Sequence, residues 1–175
     1  EIKMYEFEYE LTKSDYVDFN LYHAKNSKIV NKMLMVYRVV GPLLILLGGY
    51  YMTDGYKDLI GIIVYGISSL FWFIYCPRLH FKSIKRNITR IIDEGKDTSL
   101  FDLREVVVNE REITEEIIDH RTFKSWKKIV KMGVSKDNLF IYVSDVDALI
   151  IPKKIIGNEE ESKAFIEYIT NKFIK

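Results

Sequence analysis

Three histidines, His23, His80 and His120, are the first residues to weigh for metal or acid–base chemistry. They lie far apart along the chain and share no metal-ligand spacing. Asp145 and Asp147 form a D-x-D pair of the kind that can hold a divalent cation. They fall where a hairpin turn is expected, and the turn is the preferred reading. Glu115, Glu116 and Asp119 would act as general acids or bases only if buried together, and the local pattern puts them on the exposed face of a strand. No serine sits in a nucleophile elbow, and no glycine-rich loop is set to hold a phosphate. The expectation is no catalytic residue, no metal site and no cofactor, and the chain is not expected to be an enzyme.

Binding chemistry is better represented. Lys124, Lys127, Lys128 and Lys131 form a basic cluster, with Lys153 and Lys154 expected near it. Together with Lys153 they make a candidate partner surface, although solvated lysines are the simpler reading. Trp126 stands inside that cluster, either as an exposed recognition anchor or, preferably, as a core residue of a sheet. A second basic group comprises Lys25, Lys28, Lys32, Arg38, Arg78, Lys82, Lys85, Arg86 and Arg90. These are candidate contacts for anionic lipid headgroups, against ordinary positive-inside topology as the plainer explanation. A phosphoinositide site would need a basic first hairpin, and here that turn carries Glu110 and Glu112 around Arg111. The net charge of +1 gives no reason to expect nucleic acid.

The elements that must position these residues are set by residues 36–77, read as two membrane-spanning helices joined by a polar loop. Residues 59–77 carry no charge, and at about 1.5 Å per residue they nearly cross about 30 Å of hydrocarbon. The first span is uncharged only over residues 39–53. Arg38 is expected to lengthen it by snorkelling to the headgroups. Gly41 and Gly48, like Gly61 and Ser68, are seven apart and offer close approach between the helices. No Asp or Glu lies between Asp18 and Asp54, or between Asp58 and Asp93, while basic residues fill both intervals outside the spans. This places the chain in the cell membrane with both termini cytoplasmic. Cys76 is the single cysteine, so no internal disulfide is possible.

Residues 3–11 alternate apolar and acidic as a half-buried strand does. Thr12 with Asp15 marks a helix start, and Tyr16, Phe19 and Tyr22 share one face. Pro77 is expected to break the chain. An amphipathic helix follows it, with Phe81, Ile84, Ile88, Ile91 and Ile92 opposite the basic residues, ending near Gly95. Five strands follow from residue 100, the third opened by Trp126. A final helix is capped by Asn158 and Glu161 and carries an apolar stripe of Phe165, Ile169 and Phe173. The predicted organisation is a strand and cytoplasmic helix (residues 1–35), a transmembrane hairpin (36–77), an amphipathic connecting helix (78–99) and a small α+β domain (100–175). An antiparallel meander closed by one helix suggests a pleckstrin-homology-like layout. Five strands fall short of the seven usual there. Two repairs are open: residues 121–125 form a further short strand, or the N-terminal strand joins the C-terminal sheet. The second predicts Tyr5, Phe7 and Tyr9 near Phe165 or Trp126.

Phe7-Glu8-Tyr9-Glu10-Leu11-Thr12-Lys13-Ser14-Asp15-Tyr16, the two spans, Trp126-Lys127-Lys128-Ile129-Val130 and Ala148-Leu149-Ile150-Ile151-Pro152-Lys153 together resemble the bacterial YcxB-like family. That resemblance implies two transmembrane helices and a cytoplasmic pleckstrin-homology-like C-terminal domain, and it brings no catalytic residues. The functional expectation is a membrane-anchored cytoplasmic interaction module with a protein partner or a second copy of itself. The alternatives are an anionic-lipid surface sensor and a component of a membrane enzyme or transport complex.

Overall fold

The structure is a computed structural model that describes residues 4–95, 101–117 and 120–173. It divides into two compact units, one formed by Glu1–His23 with Thr89–Lys175, the other by Ala24–Ile88. The second is inserted into the sequence of the first.

The first unit is α+β. Strand β1 (Tyr5–Tyr9) is followed by helix α1 (Lys13–Asn26), and the chain returns in β2 (Arg104–Val108), β3 (Glu112–Ile117) and β4 (His120–Ser125). These strands make one antiparallel sheet in the order β1-β2-β3-β4. β5 (Lys131–Val134), β6 (Asn138–Tyr142) and β7 (Ala148–Pro152) make a second, and helix α4 (Glu159–Phe173) closes the chain. Both repairs to the strand count are therefore realised. Residues 121–125 lie in β4, and β1 pairs with β2, Tyr5 opposite Val108 and Tyr9 opposite Arg104. Trp126 does not open a strand. Residues Trp126–Lys128 form a single 3-10 turn, with Ile129 N–H donating to the Trp126 carbonyl at 3.2 Å. The chain uses that turn to leave one sheet and enter the other.

Local sequence explains the helix starts. Thr12 N–H donates to Asp15 Oδ2 at 2.9 Å while Asp15 N–H donates to Thr12 Oγ1 at 3.2 Å. Asn158 and Glu161 exchange the same pair of bonds at 2.8 and 2.9 Å. Each box satisfies amide donors that have no partner within the helix. The core forms around β6, every residue of which is buried. Phe19 and Tyr22 of α1 lie against Phe140, with ring centroids 5.5 and 5.0 Å apart. Gly133 on β5 admits the Tyr22 ring, since a Cβ there would sit 2.5 Å from it. Tyr5 and Phe7 meet Phe165 edge-on at 4.8 and 5.1 Å, as the joined-sheet reading requires. The Tyr9 hydroxyl donates to the Ile150 carbonyl at 2.6 Å, a buried bond that ties β1 to β7 and so one sheet to the other. The connecting helix ends at Glu94, as the expected end near Gly95 requires, whereas Lys3, residues 96–99, Leu100, Ile118, Asp119, Lys175 and the side chain of Phe173 lie outside the described residues.

The second unit is a helical hairpin. Helix α2 (Lys28–Met52) starts after Ser27, whose Oγ accepts from Val30 N–H at 3.4 Å, so α1 does not run on into the apolar stretch. Helix α3 (Leu59–Glu94) runs without interruption through Pro77. The expected break at Pro77 is thus absent. The loop between them places Asp54, Gly55 and Tyr56 in the left-handed region. The packed seam also differs from expectation. Gly49, not Gly48, takes the rings of Tyr65 and Tyr56, where a Cβ would fall 2.4 Å from the first. Ser69, not Ser68, faces α2 and donates to the Pro42 carbonyl at 3.3 Å. Both helices are long and apolar enough to cross a membrane. Only 11% and 17% of their most apolar windows are buried, so these side chains face outward rather than into a protein core.

Two outcomes test this packing. Tyr9→Phe leaves the Ile150 carbonyl without its buried donor and is expected to cost about 1–2 kcal/mol, measured by denaturant titration of the full chain in mild detergent. Burial, then the neighbouring Tyr22, pushes the Tyr142 hydroxyl up to about 12 from 10.0, and burial raises Tyr9 likewise. The contribution of Tyr142 is whole below about pH 10 and is lost as pH rises towards 12. Thermal stability should therefore fall across that interval, and less so in Tyr142→Phe.

Candidate functional site

Two places in the α+β unit bring charged side chains together. The first is inside the four-stranded sheet. Arg104 on β2 donates from Nη1 to Glu115 Oε1 at 3.0 Å, and Lys124 on β4 reaches the other carboxylate oxygen. All three side chains are largely buried, with 9%, 8% and 13% exposure. Alternation delivers them to one face: Glu115 lies opposite Val106, two residues on from Arg104, and Lys124 lies opposite Ile113. Glu115 is therefore not on the exposed face where the sequence pattern put it. Glu116, its neighbour on the other face, pairs with the exposed Arg121. Both oxygens of the Glu115 carboxylate are occupied by these cations, so the group is committed to holding β2, β3 and β4 together. The cluster serves the sheet.

The second place is a hollow of about 580 Å³ beside Trp126. The Asn109 side chain accepts from the N–H groups of Arg111 and Glu112 at 2.8 and 2.9 Å, which closes the β2–β3 turn that brings Glu110 and Arg111 to the hollow. The indole Nε1 of Trp126 donates to the Asn109 carbonyl at 3.0 Å. That bond fixes one edge of a half-buried ring that lines the hollow. Lys172, in the last turn of α4, pairs with Glu110 at 3.8 Å and lies 5.7 Å from the Tyr168 ring centre. Arg111, Lys127 and Lys172 set three cations against the single carboxylate of Glu110 around this aromatic surface. The arrangement suits an anionic, partly apolar group, with the rigid indole as its flat contact.

The remaining candidates are dispersed. Lys127 lines the Trp126 hollow, and Lys128 is exposed on the same turn. Lys124 is committed to Glu115. Lys131 lies 4.3 Å from the Tyr142 ring centre. Lys153 donates to the Ser135 and Lys136 carbonyls at 2.6 and 3.1 Å, and Lys154 is 4.0 Å from Asp15. Of the five in the candidate partner surface, Lys124 and Lys153 are engaged within the fold, while Lys127, Lys128 and Lys131 are exposed. Lys25, Lys28, Lys32, Arg78, Lys82, Lys85, Arg86 and Arg90 are exposed, whereas Arg38 donates from Nε to the Phe73 carbonyl at 2.9 Å. Asp145 and Asp147 are exposed in the β6–β7 turn, where Ser144 Oγ accepts from Asp147 N–H at 2.9 Å. His23 rests against Phe19 and Tyr142, and His80 against Phe81; the His120 side chain lies outside the described residues. Among the described residues no group of three or more His, Cys, Asp or Glu side chains is placed to hold a metal ion. Sequence reasoning missed Arg111 and Lys172 as neighbours of Trp126, since they are 15 and 46 residues away.

The fold is thus an antiparallel α+β domain that carries an inserted pair of long apolar helices. A family model described as YcxB-like protein matches residues 109–169, from the β2–β3 turn into α4, and it includes the Trp126 and Ala148 motifs on which the resemblance was read. No curated protein and no solved structure matches the chain.

Removing the carboxylate from the ion cluster tests its assignment to the sheet. Glu115→Ala is expected to cost about 3–5 kcal/mol because it leaves two buried cations without it. Glu116→Ala, with an exposed partner, should cost less than about 1 kcal/mol. Denaturant titration of the full chain gives both values.

Proposed function

We propose that this chain is a membrane-anchored interaction module. Helices α2 and α3 span the bilayer, and the α+β unit, a pleckstrin-homology-like domain, binds an acidic segment of a protein partner on the cytoplasmic side. The observation that carries the reading is the Trp126 hollow, with an indole fixed at one edge among Arg111, Lys127 and Lys172. Seven strands in two sheets with a C-terminal helix support the pleckstrin-homology-like assignment. The outward-facing apolar windows of the two helices support the bilayer placement. The exposed basic residues outside both apolar stretches, against a joining loop that holds Asp54, Lys57 and Asp58, support cytoplasmic termini.

The test uses the full chain in native membranes with a photo-crosslinking side chain at Lys128, next to the hollow. The expected result is a stoichiometric adduct with a second protein, whose crosslinked peptide is acidic. Arg111→Glu with Lys127→Glu, both at exposed positions, should reduce its yield at least tenfold. Adducts only between copies of the chain, or only with lipid, would overturn the assignment. The lipid result would bring forward a surface sensor built on Lys25, Lys28, Lys32 and the basic face of residues 78–90.

A further inference from the structure

Pro77 lies inside α3, yet the helix does not stop. A proline has no N–H, so the carbonyl four residues earlier loses its helical donor and the helix tends to kink. Here that carbonyl belongs to Phe73, and it accepts a hydrogen bond from Arg38 Nε at 2.9 Å. The guanidinium carbon lies 4.2 Å from the centre of the Phe73 ring, so the residue that needs the donor also orients it. The opposite helix differs, since Pro42 of α2 removes the helical donor of the Arg38 carbonyl and the side chains of α3 bond carbonyls beside that one. Trp72 Nε1 donates to the Tyr37 carbonyl at 3.1 Å, and Ser69 Oγ donates to the Pro42 carbonyl at 3.3 Å. Gly41 gives the indole room, since a Cβ there would lie 2.1 Å from Nε1.

We infer that Arg38 is a positioning residue that replaces the hydrogen bond removed by Pro77 and so holds α3 straight through Pro77. Arginine is needed because its planar group both stacks and donates. The role also accounts for a cation at the edge of an apolar stretch, where headgroup contact alone would be served as well by lysine. The latch rests on contacts within the hairpin alone and is independent of what the Trp126 hollow binds.

The hydrophobic effect and the latch make opposite predictions for Arg38→Leu. Lengthening the apolar stretch should stabilise a span, whereas losing the latch should bend it. Spin labels at Ile67→Cys and Lys82→Cys, with Cys76→Ala, bracket Pro77 in the full chain reconstituted in nanodiscs. Fifteen residues of straight helix separate their backbones by about 22 Å, and the unmodified latch should give one narrow distance distribution. Arg38→Leu and Arg38→Lys should shorten and broaden it by several ångströms. Pro77→Ala restores an N–H for Phe73, so Arg38→Leu with Pro77→Ala should return the narrow distribution. If Arg38→Leu does not accumulate, recovery of the protein by adding Pro77→Ala gives the same answer. An unchanged distribution in Arg38→Leu, or a disturbance that Pro77→Ala does not repair, would overturn the inference.

Discussion

The pairing of β1 with β2 is the constraint on which the α+β unit depends. Five residues near the N-terminal end are zipped to five that come almost a hundred residues later. Tyr9 is thereby delivered between the two sheets, where its hydroxyl reaches Ile150. Helix α1 begins four residues after β1, so the same pairing sets where its aromatic face meets β6. Tyr5 and Phe7 reach Phe165 for the same reason. Without β1 the four-stranded sheet would present β2 as an unpaired edge and the two sheets would lose their buried cross-link.

The two polar features of this unit differ in how far their charges are buried. Arg104, Glu115 and Lys124 are buried and paired with one another, which links β2, β3 and β4 at the cost of desolvation. The Trp126 hollow is open, and Arg111, Lys127 and Lys172 surround its aromatic face with Glu110 beside them. Both grow from the β2–β3–β4 meander. The turn at Asn109 that ends β2 also holds the indole edge.

Much of this architecture is written locally. The apolar–acidic alternation of β1, the two capping boxes and β7 at residues 148–152 are all set by neighbours within a few positions. What was illegible depends on distant partners. Pro77 reads as a helix breaker because the donor that rescues it, Arg38, lies on another helix. Glu115 reads as a surface residue because its alternation is shared with Thr114 and Glu116, and only Arg104 and Lys124 reveal which face is buried. β4 has a polar sequence without a clear apolar face, and its pairing with β3 defines it. The candidate site was half legible: Trp126 and Lys127 stood out, while Arg111 and Lys172 enter through tertiary structure.

The insertion of the hairpin between β1 and β2 also dictates an order of events during synthesis. When β1 and α1 leave the ribosome, the surfaces that will cover Phe7, Tyr9 and Phe19 have not been made. They stay unmatched until both apolar helices and then β2 and β6 have been translated. A domain assembled from contacts this far apart in sequence folds slowly and exposes sticky intermediates meanwhile. Synthesis of the hairpin therefore precedes maturation of the domain, so a chain halted after α3 would still lack the β2 partner of its β1 strand.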